Sequence, residues 1–185
     1  MIDTPQVILL GSSGRNSGKT ALAEYLIQHF KNTMPVIALK VTSIERHDSL
    51  CPRGGAGCGA CSLDGSDFML SEETAAGTIK DTQRLLAAGA ARVFWLRSLR
   101  SALKTAFCTF LEAIPSNALL ICESNSLRRY IQPALFIMLR TNGSAVKPSA
   151  QEVASLASVS LDFPWEETQL EQVMCSVKTA LEQKK

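Results

Sequence analysis

Residues 6–26 of this chain read "QVILLGSSGRNSGKTALAEYL". A short apolar run ends in a glycine, a turn rich in Gly and Ser follows, and an amphipathic pattern begins at Lys19. The run predicts a buried strand and the pattern predicts a helix. The turn ends in Gly-Lys-Thr like the phosphate-binding pattern G-x-x-x-x-G-K-[ST], but Ser13 stands at the position of its first glycine.

The chemistry of such a loop assigns a role to each of its residues. Backbone N–H groups are expected to cradle phosphate oxygens, helped by the helix N-terminus. The predicted nucleotide-binding residues of the loop are Gly14, Arg15, Asn16, Ser17, Gly18, Lys19 and Thr20. Lys19 supplies charge to the phosphates, Thr20 can ligate Mg²⁺, and Gly18 leaves room for the backbone to approach the ligand. Gly11 and Gly14 flank Ser13 and are expected to supply the turn.

Strands alternate with helices along the rest of the chain. Apolar runs predict strands at 6–11, 35–41, 91–97, 118–124, 133–140 and 159–163, and helical periodicity predicts helices at 19–31, 78–90, 99–114, 149–158 and 166–182. Thr78 and Asp81 suggest a capping box at the start of the second helix, and Gly89 a stop at its end. The pattern predicts a single α/β domain over residues 1–185, with a mostly parallel sheet covered by helices on both sides, in three layers.

Composition narrows the classes of function. The chain has 185 residues, 46% hydrophobic and 19% charged, with a formal net charge of +2. This small charge argues against nucleic acid as a partner. No apolar run reaches the roughly 18 residues of a membrane-spanning helix, and the start lacks a secretory signal. We therefore expect a cytoplasmic protein whose six cysteines are thiols, metal ligands or buried residues rather than disulfides.

Residues 43–70 lose all periodicity and contain the segment "HDSLCPRGGAGCGAC" (47–61). Cys58 and Cys61 have a chelate spacing, and Cys51 lies seven residues before Cys58 across a Gly-rich stretch that can fold back. With His47, the three cysteines fit a zinc site; alone, they fit an iron–sulfur cluster. A redox-active Cys-x-x-Cys pair and a loop of free thiols are the alternatives.

Three segments together resemble the molybdopterin-guanine dinucleotide biosynthesis protein B family. They are "GRNSGKTAL" at 14–22, "KDTQRLLAAGAARVFWLRS" at 80–98 and "LLICESNS" at 119–126. The resemblance implies a P-loop NTPase fold, a homodimer, GTP binding and a part in molybdenum-cofactor maturation. It also implies a cofactor-biosynthesis enzyme as a partner. It carries over Lys19, Thr20 and Glu123, the last as a Mg²⁺- or water-positioning acid. Lys80 and Asp81 also match a family motif; otherwise they are a solvated lysine and a helix-capping acid.

The sequence does not decide which base the bound nucleotide carries, or whether the protein hydrolyses the nucleotide or transfers its phosphate. The guanine-reading N-K-x-D tetrapeptide is absent, and Asn142 in "RTNGS" (140–144) is a candidate base contact, so GTP and ATP both remain. Besides an NTPase with Mg²⁺, the loop suits a kinase in which Asp48 or Asp67 would be the base. A third reading is a metal or redox sensor that holds nucleotide without turnover.

Overall fold

The computed structural model describes residues 1–14, 16–45, 63–141 and 145–183. Within these residues, seven strands form one sheet in the order β3-β4-β2-β5-β1-β6-β7. The strands are β1 (Ile2–Ser12), β2 (Val36–Ile44), β3 (Phe68–Glu73), β4 (Arg92–Leu99), β5 (Leu119–Glu123), β6 (Ile131–Thr141) and β7 (Val159–Phe163). All neighbours are parallel except β3, which runs antiparallel to β4 at one edge.

Helices cover both faces of the sheet. They are α1 (Lys19–Phe30), α2 (Asp81–Ala87), α3 (Leu103–Glu112), α4 (Pro148–Gln151) and α5 (Glu167–Glu182), with short 3-10 turns at Arg100–Ala102, Ser126–Arg129 and Ala154–Leu156. Buried side chains of α1, α2 and α5 pack on one face, which we call the α1 face; those of α3 pack on the other. The predicted three-layer α/β fold is confirmed.

Alternation along β1 shows why these residues form a doubly covered strand. Ile8 and Leu10 point into the core of the α1 face, whereas Val7 and Leu9 point into the core of the α3 face, and all four are fully buried. A strand buried on both sides reads as a continuous apolar run, as the sequence does here. Among the described residues, no helix combines the length and apolar character needed to cross a membrane.

Several predicted boundaries are wrong. The sequence pattern does not predict β3, because its first residues belong to the aperiodic stretch 43–70, and β2 continues to Ile44. The predicted helix at 149–158 is only the four-residue α4 followed by a 3-10 turn. The start of α2 is capped at Lys80 rather than Thr78, with the backbone N–H of Lys80 donating to Gln83 Oε1 at 3.4 Å.

Candidate functional site

The side chain of Lys19 folds back over the turn between β1 and α1. Lys19 Nζ donates to Ser12 Oγ at 2.5 Å, and Ser12 Oγ donates to the carbonyl oxygen of Gly14 at 3.0 Å. The ammonium group of the first helical residue is thereby fixed at the carboxyl edge of β1. This is the edge at which open parallel sheets bind their ligands.

The N-terminus of α1 has no side chain of its own to cap it. Gly18 is the N-cap residue, its φ is 79°, and it makes no capping hydrogen bond through a side chain. The first turn also contains no acidic residue. The first N–H groups of a helix lack partners within the helix, and together with the helix dipole they attract anions. The 12-residue helix therefore presents a positive end beside Lys19.

Neighbouring strands hold the loop in place. The side chain of Asn125 accepts from the backbone N–H of Ser12 at 2.7 Å and donates to the carbonyl oxygen of Ser12 at 2.9 Å. Ser13 Oγ accepts from the backbone N–H of Thr141 at 3.1 Å, and the N–H of Ser13 donates to Leu139 at 2.8 Å. The loop is thus anchored to the segment after β5 and to the end of β6.

Gly11, one of the two glycines expected to supply the turn, does not do so. Gly11 lies inside β1, where a Cβ atom would come within 2.9 Å of Asn125 and Phe136. Left-handed backbone instead occurs at Asn16, with φ of 54°, and at Gly18. Gly18 also serves a purpose other than the one expected, because a Cβ atom there would lie 2.5 Å from the rings of Phe163 and Trp165.

Glu123 ends β5 with its carboxylate buried beside the loop. It is only 5% exposed, and its register partners are Leu10 on β1 and Lys40 on β2. Burial raises the pKa of Glu123; the charges of Lys19 and Lys40 and a hydrogen bond with Thr20 oppose that rise without cancelling it, while Asp81 adds to it. Glu123 Oε1 has no hydrogen-bond partner among the described residues. A buried polar atom without a partner calls for an explanation, and a catalytic role or a bound ion or water molecule supplies one.

Lys40 and Asp81 complete the charged cluster, and sequence reasoning missed the first of them. Lys40 on β2 donates through Nζ to the carboxylate of Asp81, the first residue of α2. Burial tends to raise the pKa of Asp81, but the hydrogen bond and charge of Lys40, with the charges of Arg84 and Lys19, lower it overall. Asp81 therefore belongs to the cluster around Glu123, whereas Lys80 lies exposed at the cap.

An ion pair fixes α2 against α1 and so positions Asp81. Arg84 donates through Nε and Nη2 to the two carboxylate oxygens of Glu24 at 2.9 and 2.8 Å. Two parallel hydrogen bonds of this kind constrain orientation as well as distance. The hydrogen bond to Glu24 is also the main reason that the pKa of Arg84 is raised.

Several predicted site residues lie outside the part of the chain that the structure describes. They are Arg15, His47, Asp48, Cys51, Cys58, Cys61 and Asn142. Among the described residues there is no group of three or more His, Cys, Asp or Glu side chains that could hold a metal ion. Asp67, the other candidate kinase base, is exposed and lies beside Leu99 at the end of β4, two strands from Glu123.

Comparison of the chain with protein-family models, curated proteins and solved structures found no match.

Proposed function

We propose that this protein binds a nucleoside triphosphate at the loop between β1 and α1 and hydrolyses it, as a P-loop NTPase. The observation that carries the proposal is the meeting of Lys19, the uncapped N-terminus of α1 and the buried carboxylate of Glu123 at one edge of a parallel sheet. Phosphate chains carry several negative charges, and both the ammonium group and the helix N-terminus favour them.

The donor set fits the Mg²⁺ ion that accompanies a nucleoside triphosphate. Thr20 and Glu123 offer hydroxyl and carboxylate oxygens next to each other, and Glu123 Oε1 has no protein partner in the described residues. Hard oxygen ligands of this kind, usually with retained water, are what Mg²⁺ prefers. When bound, the ion neutralises charge that develops on the phosphates.

The residues of the chain divide the remaining work between them. Lys19 binds phosphate oxygens through its charge, and the backbone of α1 orients them. Glu123, with its raised pKa, orients a water molecule or accepts its proton. Asp81 holds Lys40 beside Glu123, so that the acid keeps a positive neighbour while its own charge is buried.

The cysteine segment and the sequence resemblance support a narrower proposal. We infer an accessory factor in metallocofactor assembly, of the molybdenum-cofactor type, acting in the cytoplasm as a homodimer beside a cofactor-biosynthesis enzyme. Cys51, Cys58 and Cys61, with or without His47, would hold zinc or an iron–sulfur cluster. Metal analysis and the absorption spectrum of anaerobically purified protein test this part, and metal-free, colourless protein would contradict it.

Two variants test the triphosphatase. We expect Lys19→Ala to weaken binding of Mg²⁺–GTP and Mg²⁺–ATP by at least about tenfold, since it removes the charge aimed at the phosphates.

Glu123→Gln should lower the rate of phosphate release by more than about tenfold and change affinity far less, because its role is in the reaction. Calorimetry measures affinity, and a phosphate assay measures turnover.

Lys104→Ala is the matched control, because Lys104 is an exposed lysine of α3 on the opposite face. It should bind and hydrolyse like the wild type. Unchanged affinity in Lys19→Ala would show that the loop is not the nucleotide site, and wild-type turnover in Glu123→Gln would remove the acid from the reaction.

A further inference from the structure

Two aromatic side chains stand beside the phosphate loop at the carboxyl end of β7. Phe163 is the last residue of β7, and Trp165 follows it after a single proline. Their rings meet edge to face, with centroids 4.9 Å apart and planes at 69°. Both side chains are only partly buried. They therefore form an aromatic wall, defined here as Phe163 and Trp165, with surface left open to a ligand.

The wall lies directly against the loop. Ring atoms of both residues approach Gly18 so closely that a Cβ atom there would lie 2.5 Å from each of them. Gly18 immediately precedes Lys19, and its positive φ also favours glycine. The wall and the N-terminus of α1 are thus in van der Waals contact.

The sheet explains how a distant segment reaches this point. β7 is parallel to β6, and Phe163 is the register partner of Thr141, whose N–H bonds to Ser13 of the loop. The core on the α1 face includes Leu161, two residues before Phe163, and Trp165 packs against that same core. The aromatic wall therefore lies on the α1 face of the sheet, at the same edge of the sheet as Lys19. Strand order and side-chain alternation place it there.

A nucleoside triphosphate joins a charged phosphate tail to a flat aromatic base. The loop accounts for the tail, and the ammonium group of Lys19 suits phosphate oxygens rather than the face of a base. Stacking on an aromatic side chain suits any base, because every base has a π-face, and contributes enough to change affinity by about tenfold or more. Partly exposed aromatic rings beside a phosphate site supply that surface.

We propose that the aromatic wall, chiefly Trp165, stacks against the base of the nucleoside triphosphate whose phosphates the loop holds. The proposal rests on the proposed triphosphate site and adds the residues that recognise the nucleoside part. It assigns base binding to a surface that reads ring shape rather than the hydrogen-bonding edge. It also explains how a chain without the N-K-x-D tetrapeptide would hold a base.

The experiment compares nucleotides with inorganic tripolyphosphate, which has the tail but no base. Calorimetry with Mg²⁺ should show that Trp165→Ala weakens GTP and ATP binding by about tenfold or more and leaves tripolyphosphate affinity within about twofold of wild type. Trp165→Phe, which keeps an aromatic ring, should recover most of the lost nucleotide affinity. Trp95→Phe is the control, since Trp95 lies on β4 away from the wall, and it should bind all three ligands like wild type.

Fluorescence gives a second measurement that does not depend on removing the ring. The chain has two tryptophans, so Trp95→Phe leaves Trp165 as the only one. GTP and ATP should quench its emission at saturation, and tripolyphosphate should not. This measurement decides the question even if Trp165→Ala fails to fold.

The outcomes separate this inference from the function on which it rests. Equal losses for nucleotides and tripolyphosphate in Trp165→Ala would mean that the wall only supports the loop and would overturn the stacking proposal. So would nucleotide binding without quenching in Trp95→Phe. If the wild type binds neither nucleotide nor tripolyphosphate, the proposed triphosphate site itself is wrong.

Discussion

Ser13 shows how one residue can depart from a motif and leave its geometry usable. The backbone at Ser13 is not in the left-handed region, so this position does not need glycine. Its hydroxyl instead accepts a hydrogen bond from the backbone N–H of Thr141, and positive φ values occur at Asn16 and Gly18 among the described residues of the loop. A side chain at residue 13 therefore adds an anchor to β6, where a glycine would add only conformational freedom.

The buried carboxylate of Glu123 lowers the free energy of unfolding at neutral pH, and its substitution should reveal this. Its pKa is raised above the ordinary 4.5 on folding, chiefly by burial. The folded protein then binds the proton more tightly than the unfolded chain, and stability falls as pH rises from 4.5 through the folded pKa. We expect Glu123→Gln to melt about 2–4 °C higher than wild type at pH 7.5, which corresponds to about 1 kcal/mol in a chain of this size. The difference should shrink as the pH is lowered toward 4.5.

Scanning calorimetry of the ligand-free proteins across pH measures this difference. Glu171→Gln provides a control, because Glu171 is an exposed glutamate in the middle of α5. That variant should show no comparable gain. A Glu123→Gln protein that is less stable than wild type at pH 7.5 would mean that the carboxylate is a structural ion-pair partner of Lys19 and Lys40.

At the scale of elements, the sequence predicts what local pattern controls. Apolar runs located six of the seven described strands, because buried parallel strands need side chains that are apolar on both faces. The sequence does not predict β3, because it is an edge strand whose residues are at most partly buried and include two glutamates. Glutamate is depleted in strands. Its partner holds it instead: Arg92 on β4 forms two hydrogen bonds with Glu72, at 2.8 and 2.7 Å.

The residues of the candidate site also divide into those that local sequence predicts and those that it does not. Lys19, Thr20 and Glu123 were predictable because a local motif or a strand end marks each of them. Lys40 and Asn125 were not, because their roles depend on register between segments far apart in the chain. Lys40 becomes a neighbour of Glu123 only when β2 pairs with β5, and Asn125 reaches Ser12 across 113 residues. A polar residue near the end of an apolar run is the only signal that Lys40 gives.

The junction between α1 and α2 offers a test of a predicted helix stop. Gly89 follows α2 with φ of 106°, and Lys31 Nζ, just beyond α1, donates to the carbonyl oxygen of Ala88 at 3.4 Å. Gly89→Ala should lower the free energy of unfolding by about 1–3 kcal/mol, since an L side chain is strained at this φ. Urea unfolding measures the change.

Two further variants identify the cause of that loss. Gly77→Ala is the control, because Gly77 has no positive φ and the atoms nearest its new Cβ would belong to the side chain of Gln83, at 3.2 to 3.6 Å. In Gly89→Ala itself, the added Cβ would lie 2.6 Å from Lys31 Cδ. If backbone strain dominates, most of the loss persists when Lys31→Ala is combined with Gly89→Ala. A full recovery in the double variant would assign the loss to the clash with Lys31.

At the scale of the whole molecule, the described residues on both sides of the cysteine segment lie at the loop's edge of the sheet. Glu45, just after β2, accepts a hydrogen bond from Arg100 Nη1 at 2.5 Å. On the other side, Leu63 is buried, and the carbonyl oxygen of Asp67 accepts from the N–H of Leu99 at the end of β4. The described chain therefore stops just after the carboxyl end of β2 and reaches the carboxyl end of β4 again by Asp67, and β2 also carries Lys40.

This placement predicts that the cysteines and the triphosphate site affect each other. If metal changes triphosphate affinity, triphosphate must change metal affinity by the same factor, and factors of about 5–150 are typical of coupled sites. We expect the double substitution Cys58→Ser and Cys61→Ser to remove the metal that we propose these cysteines hold, and to change GTP and ATP affinity by at least about fivefold. Parallel calorimetric titrations of metal-loaded wild type and the double variant measure the factor, and Cys175→Ser, an exposed thiol of α5, is the control. A double variant that binds nucleotide like wild type would show that the cysteines and the proposed triphosphate site are not coupled.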